Sequence, residues 1–269
     1  MTRRKIKTIG LDDFYRSFQP HIVGTAAVGC FLVLWEGVVA FGLMDPLFTS
    51  RPSLILMKFA ELYVKTGEIY QHIYVSAQEG FIAFFLAIGV GIPLGIVMGR
   101  IRMAKYVLEP FVTALYSTPM VALIPLFILW FGIDLFSKVA VIFLGSVFPI
   151  LINTQTGVEK TDPNIIEAAV SFMAKERQIF AKIVLPSAIP YIIAGLRLAM
   201  GRAVIMMVVA EFYISIAGIG FMVRTAGDTY DTDTFFVGIL TLTIFGVVAS
   251  QIIKSIERKF APWLFIEEE

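Results

Sequence analysis

The sequence predicts an all-α membrane protein of six transmembrane helices, and three observations carry that expectation. Apolar residues make up 58% of the 269-residue chain and only 16% are charged, where a soluble domain carries about 25%. The apolar residues are gathered into blocks of about twenty, the length a helix needs to cross the hydrocarbon core. No stretch alternates polar and apolar residues as a strand would.

Taken in chain order, residues 1–21 form an N-terminal tail, 22–258 the six-helix domain and 259–269 a C-terminal tail. The first block, Ile22–Met44, has a single charge, Glu36, and is too long for a signal-peptide core; without a small-residue cleavage site it reads as an uncleaved span. Next, Leu54–Lys65 places Lys58, Glu61 and Lys65 on one helical face behind a Ser50-Arg51-Pro52 start. It fits a helix lying in the interface, and equally a short packed connector. Gly80–Gly99, Phe111–Ile133, Val139–Gly157 and Thr234–Ile253 hold no Asp, Glu, Lys or Arg. The prolines at 110, 119 and 125 are expected to bend the third span. The fifth span, Pro190–Ile216, is interrupted by Arg197, Arg202 and Glu211. Before the sixth lies an acidic connection with Asp228, Asp231 and Asp233.

Orientation follows from the basic residues in the connections. With the N-terminus cytoplasmic, the inner segments hold Arg3, Arg4, Lys5, Lys7, Arg16, Arg100, Arg102, Lys105, Lys160, Lys175, Arg177, Lys182, Lys254, Arg258 and Lys259. The outer ones hold only Arg51, Lys58, Lys65, Lys138 and Arg224. Both termini and the loop at 159–186 are therefore placed in the cytoplasm.

That loop is unusual for so apolar a chain. Asp162-Pro163 is a capped helix start. A short helix is expected from Pro163 to about Phe172, and a second from about Ala174 to Leu185, stopped by Pro186. Neither is long enough to be stable alone in water, so each needs a surface to pack against.

The run EAAVSFMAKERQIFAKIVLP (Glu167–Pro186), with ALIPLFILWFGI (Ala122–Ile133), LGSVFPILINTQTGV (Leu144–Val158) and LPSAIPYIIAGLRLAMGRA (Leu185–Ala203), resembles permease subunits of binding-protein-dependent ABC importers, in the branch that carries nitrate, sulfonates, taurine, bicarbonate and similar solutes. The resemblance covers about Pro52 to the end. It implies a type I importer permease fold in a bacterial plasma membrane. It also implies a cytoplasmic ATPase holding ATP and magnesium, an external solute-binding protein and a second permease copy, most simply an identical one. The loop at 159–186 would then be the coupling loop, with Glu167, Ala168, Ala169, Ser171, Phe172, Met173, Leu185 and Pro186 as its coupling residues. One position departs from the family pattern: Met173 stands where a turn glycine is usual. Either the turn has another backbone geometry, or Met173 is an apolar knob in the ATPase groove.

Charges inside a span cost roughly 2.5–3.5 kcal/mol at a helix centre on translocon scales, so they pair, snorkel or face a path. Arg202, Glu211 and Arg197 are accordingly candidates for the translocation path. The other reading, a clamp between helices through partners such as Glu36 or Glu79, stands beside it. His21 and His72 have no metal-like neighbours, Cys30 has no partner for an internal disulfide, and Trp35, Trp130 and Trp263 fit belt or packing positions. No phosphate-binding glycine loop occurs, so neither ATP binding nor catalysis is expected of this chain, and a net charge of +1 gives no reason to expect nucleic acid. An intramembrane lipid-modifying enzyme would need acids or histidines clustered at the membrane edge. An ion channel would need a polar re-entrant filter. Neither pattern is present in the sequence.

Overall fold

The computed structural model describes residues 11–45 and 47–260, with the side chains of 11–18, 20, 21, 256 and 260 left aside. The tail residues 1–10, with Arg3, Arg4, Lys5 and Lys7, and residues 261–269, with Trp263, lie outside the described residues. Among those described, every regular element is helical.

Helix α1 (Leu11–Ala40) leads to α2 (Pro52–Ala60), which widens into a π turn at Glu61–Lys65. Then come α3 (Glu68–Arg100), α4 (Arg102–Ser117), a 3-10 turn at Met120–Leu123 and α5 (Ile124–Phe131). They are followed by α6 (Leu135–Glu159), α7 (Pro163–Ser171), α8 (Glu176–Ile179), α9 (Leu185–Ile214), α10 (Ile219–Asp228) and α11 (Thr232–Phe260). Among the described residues five helices are long and apolar enough to cross a membrane, and a bent pair, 102–131, makes a sixth crossing if counted as one. The expected all-α, multi-pass architecture is what the structure has.

The core is a three-helix slab with α6 in the middle. Of its apolar window 67% is buried, against 6% for α1. Ile142, Val147 and Ile150 of α6 pack with Ala83 and Ala87 of α3 and with Ala199, Ala203 and Met207 of α9. Small residues set the closeness. A Cβ on Gly95 of α3 would stand 2.6 Å from the Leu151 carbonyl oxygen and 2.7 Å from Thr154 Cβ, and one on Gly99 would stand 2.7 Å from Val158 Cβ. Gly91, Gly95 and Gly99 recur every four residues, which is one helix face. In lipid, where apolar burial gives little driving force, close backbone approach supplies the dispersion contacts that hold helices together.

Two segments differ from the sequence expectation. The third span is broken, not merely curved: α4 and the following turn and helix meet at 91°. Thr118 is extended (φ −75°, ψ 131°) because it precedes Pro119. Pro110 causes no break inside α4, and Pro125 sits in the first turn of α5, where it has no N–H to lose. Ser137 of α6 donates to the Phe127 carbonyl (3.2 Å) and to that of Gly132, tying the C-terminal end of α5 to the head of α6. The second difference is at Pro186, which does not end a helix. α8 runs through a π turn, Phe180–Val184, straight into α9, so 176–214 is one rod. A proline ring strikes the carbonyl four residues back in an α-ladder; the wider π turn, closed by Leu185 N–H to Phe180 O, absorbs it.

Near the far end of α1, Glu36 accepts from the Ser53 backbone (3.0 Å) and hydroxyl (2.8 Å), while Trp35 meets Phe236 of α11 edge-on at 5.2 Å. The predicted helix at Leu54–Lys65 forms as α2 and its π turn, with Lys58 and Glu61 paired at 3.2 Å. The acidic connection before the sixth span is a third departure: it contains the helix α10.

Candidate coupling surface and path residues

The polar loop folds as a helical hairpin. Asp162 accepts from the Asn164 N–H (2.8 Å), capping α7 with Pro163 in its first turn. Its other end is closed by two backbone bonds, Met173 N–H to Val170 O (2.8 Å) and Ala174 N–H to Ala169 O (3.0 Å). This is the Schellman arrangement, which needs a left-handed residue just past the helix. That residue is Met173, at φ +57°. The turn therefore keeps the geometry that suits glycine, and a methionine carries its strain.

The hairpin tip is apolar and open: Phe172 is 88% exposed and Met173 92%. α7 has no buried residue. Glu167 and Ala168 are exposed and Ala169 partly so, while the Ser171 hydroxyl donates back to the Glu167 carbonyl (3.0 Å). The second arm is anchored instead. Arg100, at the end of α3, donates to Glu176 (3.3 Å) and lies over the Phe180 ring at 4.9 Å. Leu185 and Pro186 are half-buried at the foot of α9.

On α9 the three charged residues take different surroundings. Arg197 pairs with Glu257 of α11. Arg202 is exposed; its Nη2 donates to the Tyr116 hydroxyl (2.9 Å) and its guanidinium lies 4.7 Å from that ring. It lines a cleft with Tyr116, Thr118, Leu144, Phe148 and Ile205, and no carboxylate pairs with it among the described residues. Glu211 has no exposure. It accepts from Ser76 Oγ (2.5 Å) and from the Gly220 N–H (2.6 Å), so it lines no open surface of the chain. Neither expected alternative partner is used: Glu36 holds Ser53 and Arg51, and Glu79 holds Lys138.

Around Glu211 lies a polar junction that sequence reasoning missed. Ser76 of α3 accepts from Ile219 N–H (2.9 Å) and His72 Nδ1 from Gly218 N–H (3.1 Å). Lys138 of α6, counted above as a loop cation, is 8% exposed and pairs with Glu79; it also donates to Ser215 (3.1 Å). Arg224 of α10 donates to the Phe212 carbonyl (2.5 Å). The signal in the sequence was charge matching between spans: an acid just before the second, Glu79, one inside the fifth, Glu211, and a lysine at the head of the fourth, Lys138.

Chains of known type match this one along most of its length. It is 33% identical over 232 residues to a putative aliphatic sulfonates transport permease protein of Bacillus subtilis (strain 168), covering 86% of this chain and 84% of that one. It is 32% identical over 245 residues to the taurine transport system permease protein of Escherichia coli (strain K12), covering 90% and 88%. In fold it is similar to a chain of the MetNI methionine ABC transporter in inward-facing conformations, with TM-score 0.62, 17% identity and coverage of 74% and 100%. A sequence profile for the binding-protein-dependent transport system inner membrane component matches residues 91–262. With that profile spanning well over half its length and relatives above 30% identity along most of it, the chain belongs to the family of binding-protein-dependent transport system inner membrane components, the permease subunits of ABC importers.

Proposed function

We propose that this permease forms, with a second copy of itself, the membrane path for a small anion such as a sulfonate, nitrate or bicarbonate, delivered by an external binding protein and driven by a cytoplasmic ATPase docked on α7 and the hairpin tip. The α7–α8 hairpin carries this reading. A nine-residue helix with no buried residue, ending in two exposed apolar side chains, is marginal without a partner to cover it. The bias of basic residues in the sequence supports a cytoplasmic position for this hairpin and for both termini. Glu167 and the two alanines face the ATPase: the acid as a hydrogen-bond or ion-pair acceptor, the alanines permitting close approach.

The solute class rests on the relatives and on Arg202. Its guanidinium offers a planar fork of N–H donors matched to an oxyanion. Tyr116 holds it from one side at the cleft, and no carboxylate competes for it among the described residues. Selection is made by the external protein, and Arg202 serves as a weak relay.

The test is transport in vesicles by the assembled complex. Glu167→Lys, expressed at the wild-type level, is expected to uncouple ATP hydrolysis from transport; unchanged transport and ATPase stimulation would sink the coupling assignment. Arg202→Lys should keep partial uptake and Arg202→Gln abolish it while the complex stays assembled and its ATPase active. A complex that falls apart on Arg202→Gln makes the residue a clamp and removes the anion reading.

A further inference from the structure

The connection between α9 and α10 is built as a rigid corner by two helices that cap each other. The first N–H groups of a helix and its last carbonyls have no partner within it. At this corner each helix meets the other's need. Glu211, in the last turn of α9, accepts from Gly220 N–H in the first turn of α10 (2.6 Å). In return Arg224 of α10 donates to Phe212 O in the last turn of α9 (2.5 Å). A carboxylate at a helix N-terminus and a cation at a C-terminus are both the favourable signs for the helix dipole. Ile219 N–H and Gly218 N–H are taken by Ser76 and His72 of α3.

The corner leaves no slack. Gly218 sits at φ +121°, which L side chains rarely adopt. A Cβ on Gly220 would stand 2.8 Å from Glu211 Oε2 and 2.9 Å from the Val208 carbonyl. Glu211, Ile219 and Gly220 are all buried. At its other end α9 is continuous with α8, so the rod 176–214 begins in the hairpin and ends in this corner. At about 1.5 Å per residue its 39 residues span roughly 58 Å.

From this geometry we infer that Glu211 and Arg224 are positioning residues that make α10 move as one body with α9, so that displacement of the coupling hairpin is delivered to α10 at the opposite end of the molecule. α10 is not an independent lid; it is the far tip of the rod. The inference rests on the proposed function in taking the hairpin as the driven end, and its test in taking two identical permease copies.

The experiment uses the assembled transporter in vesicles, with Cys30→Ser as background and one spin label per chain, at Arg177→Cys in the hairpin or Asp228→Cys at the end of α10. Pulsed electron spin resonance then measures the distance between the two copies with and without ATP. In wild type, ATP is expected to shift both distances. In Glu211→Ala and in Arg224→Ala the shift at 177 is expected to persist while that at 228 is lost or smeared. Glu211→Gln, whose amide oxygen still accepts from Gly220, should restore it. A corner that is only structural would change assembly or unfolding temperature without separating the two labels. The inference is overturned if the shift at 228 survives in Arg224→Ala and in any Glu211→Ala protein that folds. No shift at 177 in wild type would instead overturn the coupling reading on which it rests.

Discussion

Met173 shows how a single residue can trade local strain for a surface. Its left-handed backbone costs a non-glycine residue about 1–2 kcal/mol, and its side chain gains nothing from its own chain, being 92% exposed. Met173→Gly is expected to stabilise the hairpin by about 1 kcal/mol, slowing hydrogen exchange at the Ala174 amide about fivefold. If the tip seats in an ATPase groove, the same change weakens binding of the isolated ATPase, because the apolar knob is gone. Tighter ATPase binding together with slower exchange would count against the knob. The sequence posed two alternatives at this position, and the helix-closing bonds settle the backbone geometry. Lys138 is the opposite case, a charge that owes its place to its partner. Lys138→Ala strands the Glu79 carboxylate inside the bundle, where an uncompensated buried charge costs about 3–5 kcal/mol. The double change Lys138→Met with Glu79→Leu should recover most of that loss in the thermal unfolding midpoint. Each charge was visible in the sequence; their meeting across 59 positions was not, because nothing local encodes it.

At the scale of elements, hydrophobic length was a sound guide and punctuation was not. The spans around Gly80–Gly99, Val139–Gly157 and Thr234–Ile253 were legible because bilayer thickness fixes how long an apolar run must be. Pro186 is misleading: a proline there reads as a helix stop, but a π turn lets the rod continue. α10 was hidden because six of its ten residues are small or polar and it is too short to stand out as an apolar block, although Ile219, Met222, Val223 and Ala226 form a buried face at helical spacing. The packing of α3 on α6 gives a paired prediction. Gly95→Ala places a methyl 2.6 Å from a backbone oxygen that has nowhere to move, and should cost about 1–3 kcal/mol. Gly89→Ala, on the same helix, meets nothing within 4 Å and should be neutral or slightly stabilising. Equal shifts in unfolding temperature for the two would contradict the account of that interface.

At the scale of the whole molecule, apolar surface is unevenly spent. α6 is covered on most sides, while α4 buries no residue at all. Around Arg202, Leu198 and Ile205 are 58% and 59% exposed, and Leu115 and Tyr116 stand open nearby. On the proposed function this face meets the second copy across the path. Ile205→Cys in a Cys30→Ser background should then cross-link copy to copy with a short thiol-specific linker, and the detergent-solubilised complex should contain two permease chains. A complex with one permease chain would contradict it.

The right-angled break between α4 and α5 also bears on how the chain is made. α5 has eight residues, about 12 Å of helix against a hydrocarbon core of about 30 Å, and α4 carries Arg102, Lys105 and Glu109 in its first half. Neither piece is both long enough and apolar enough to cross the bilayer by itself, and the end of α5 is tied at its Phe127 and Gly132 carbonyls to a hydroxyl that belongs to α6. A chain cut after Gly132 lacks Ser137 and all of α6, and is expected to integrate the 102–131 segment less completely than a chain that runs on through Glu159, as read by glycosylation tags in a membrane-insertion assay.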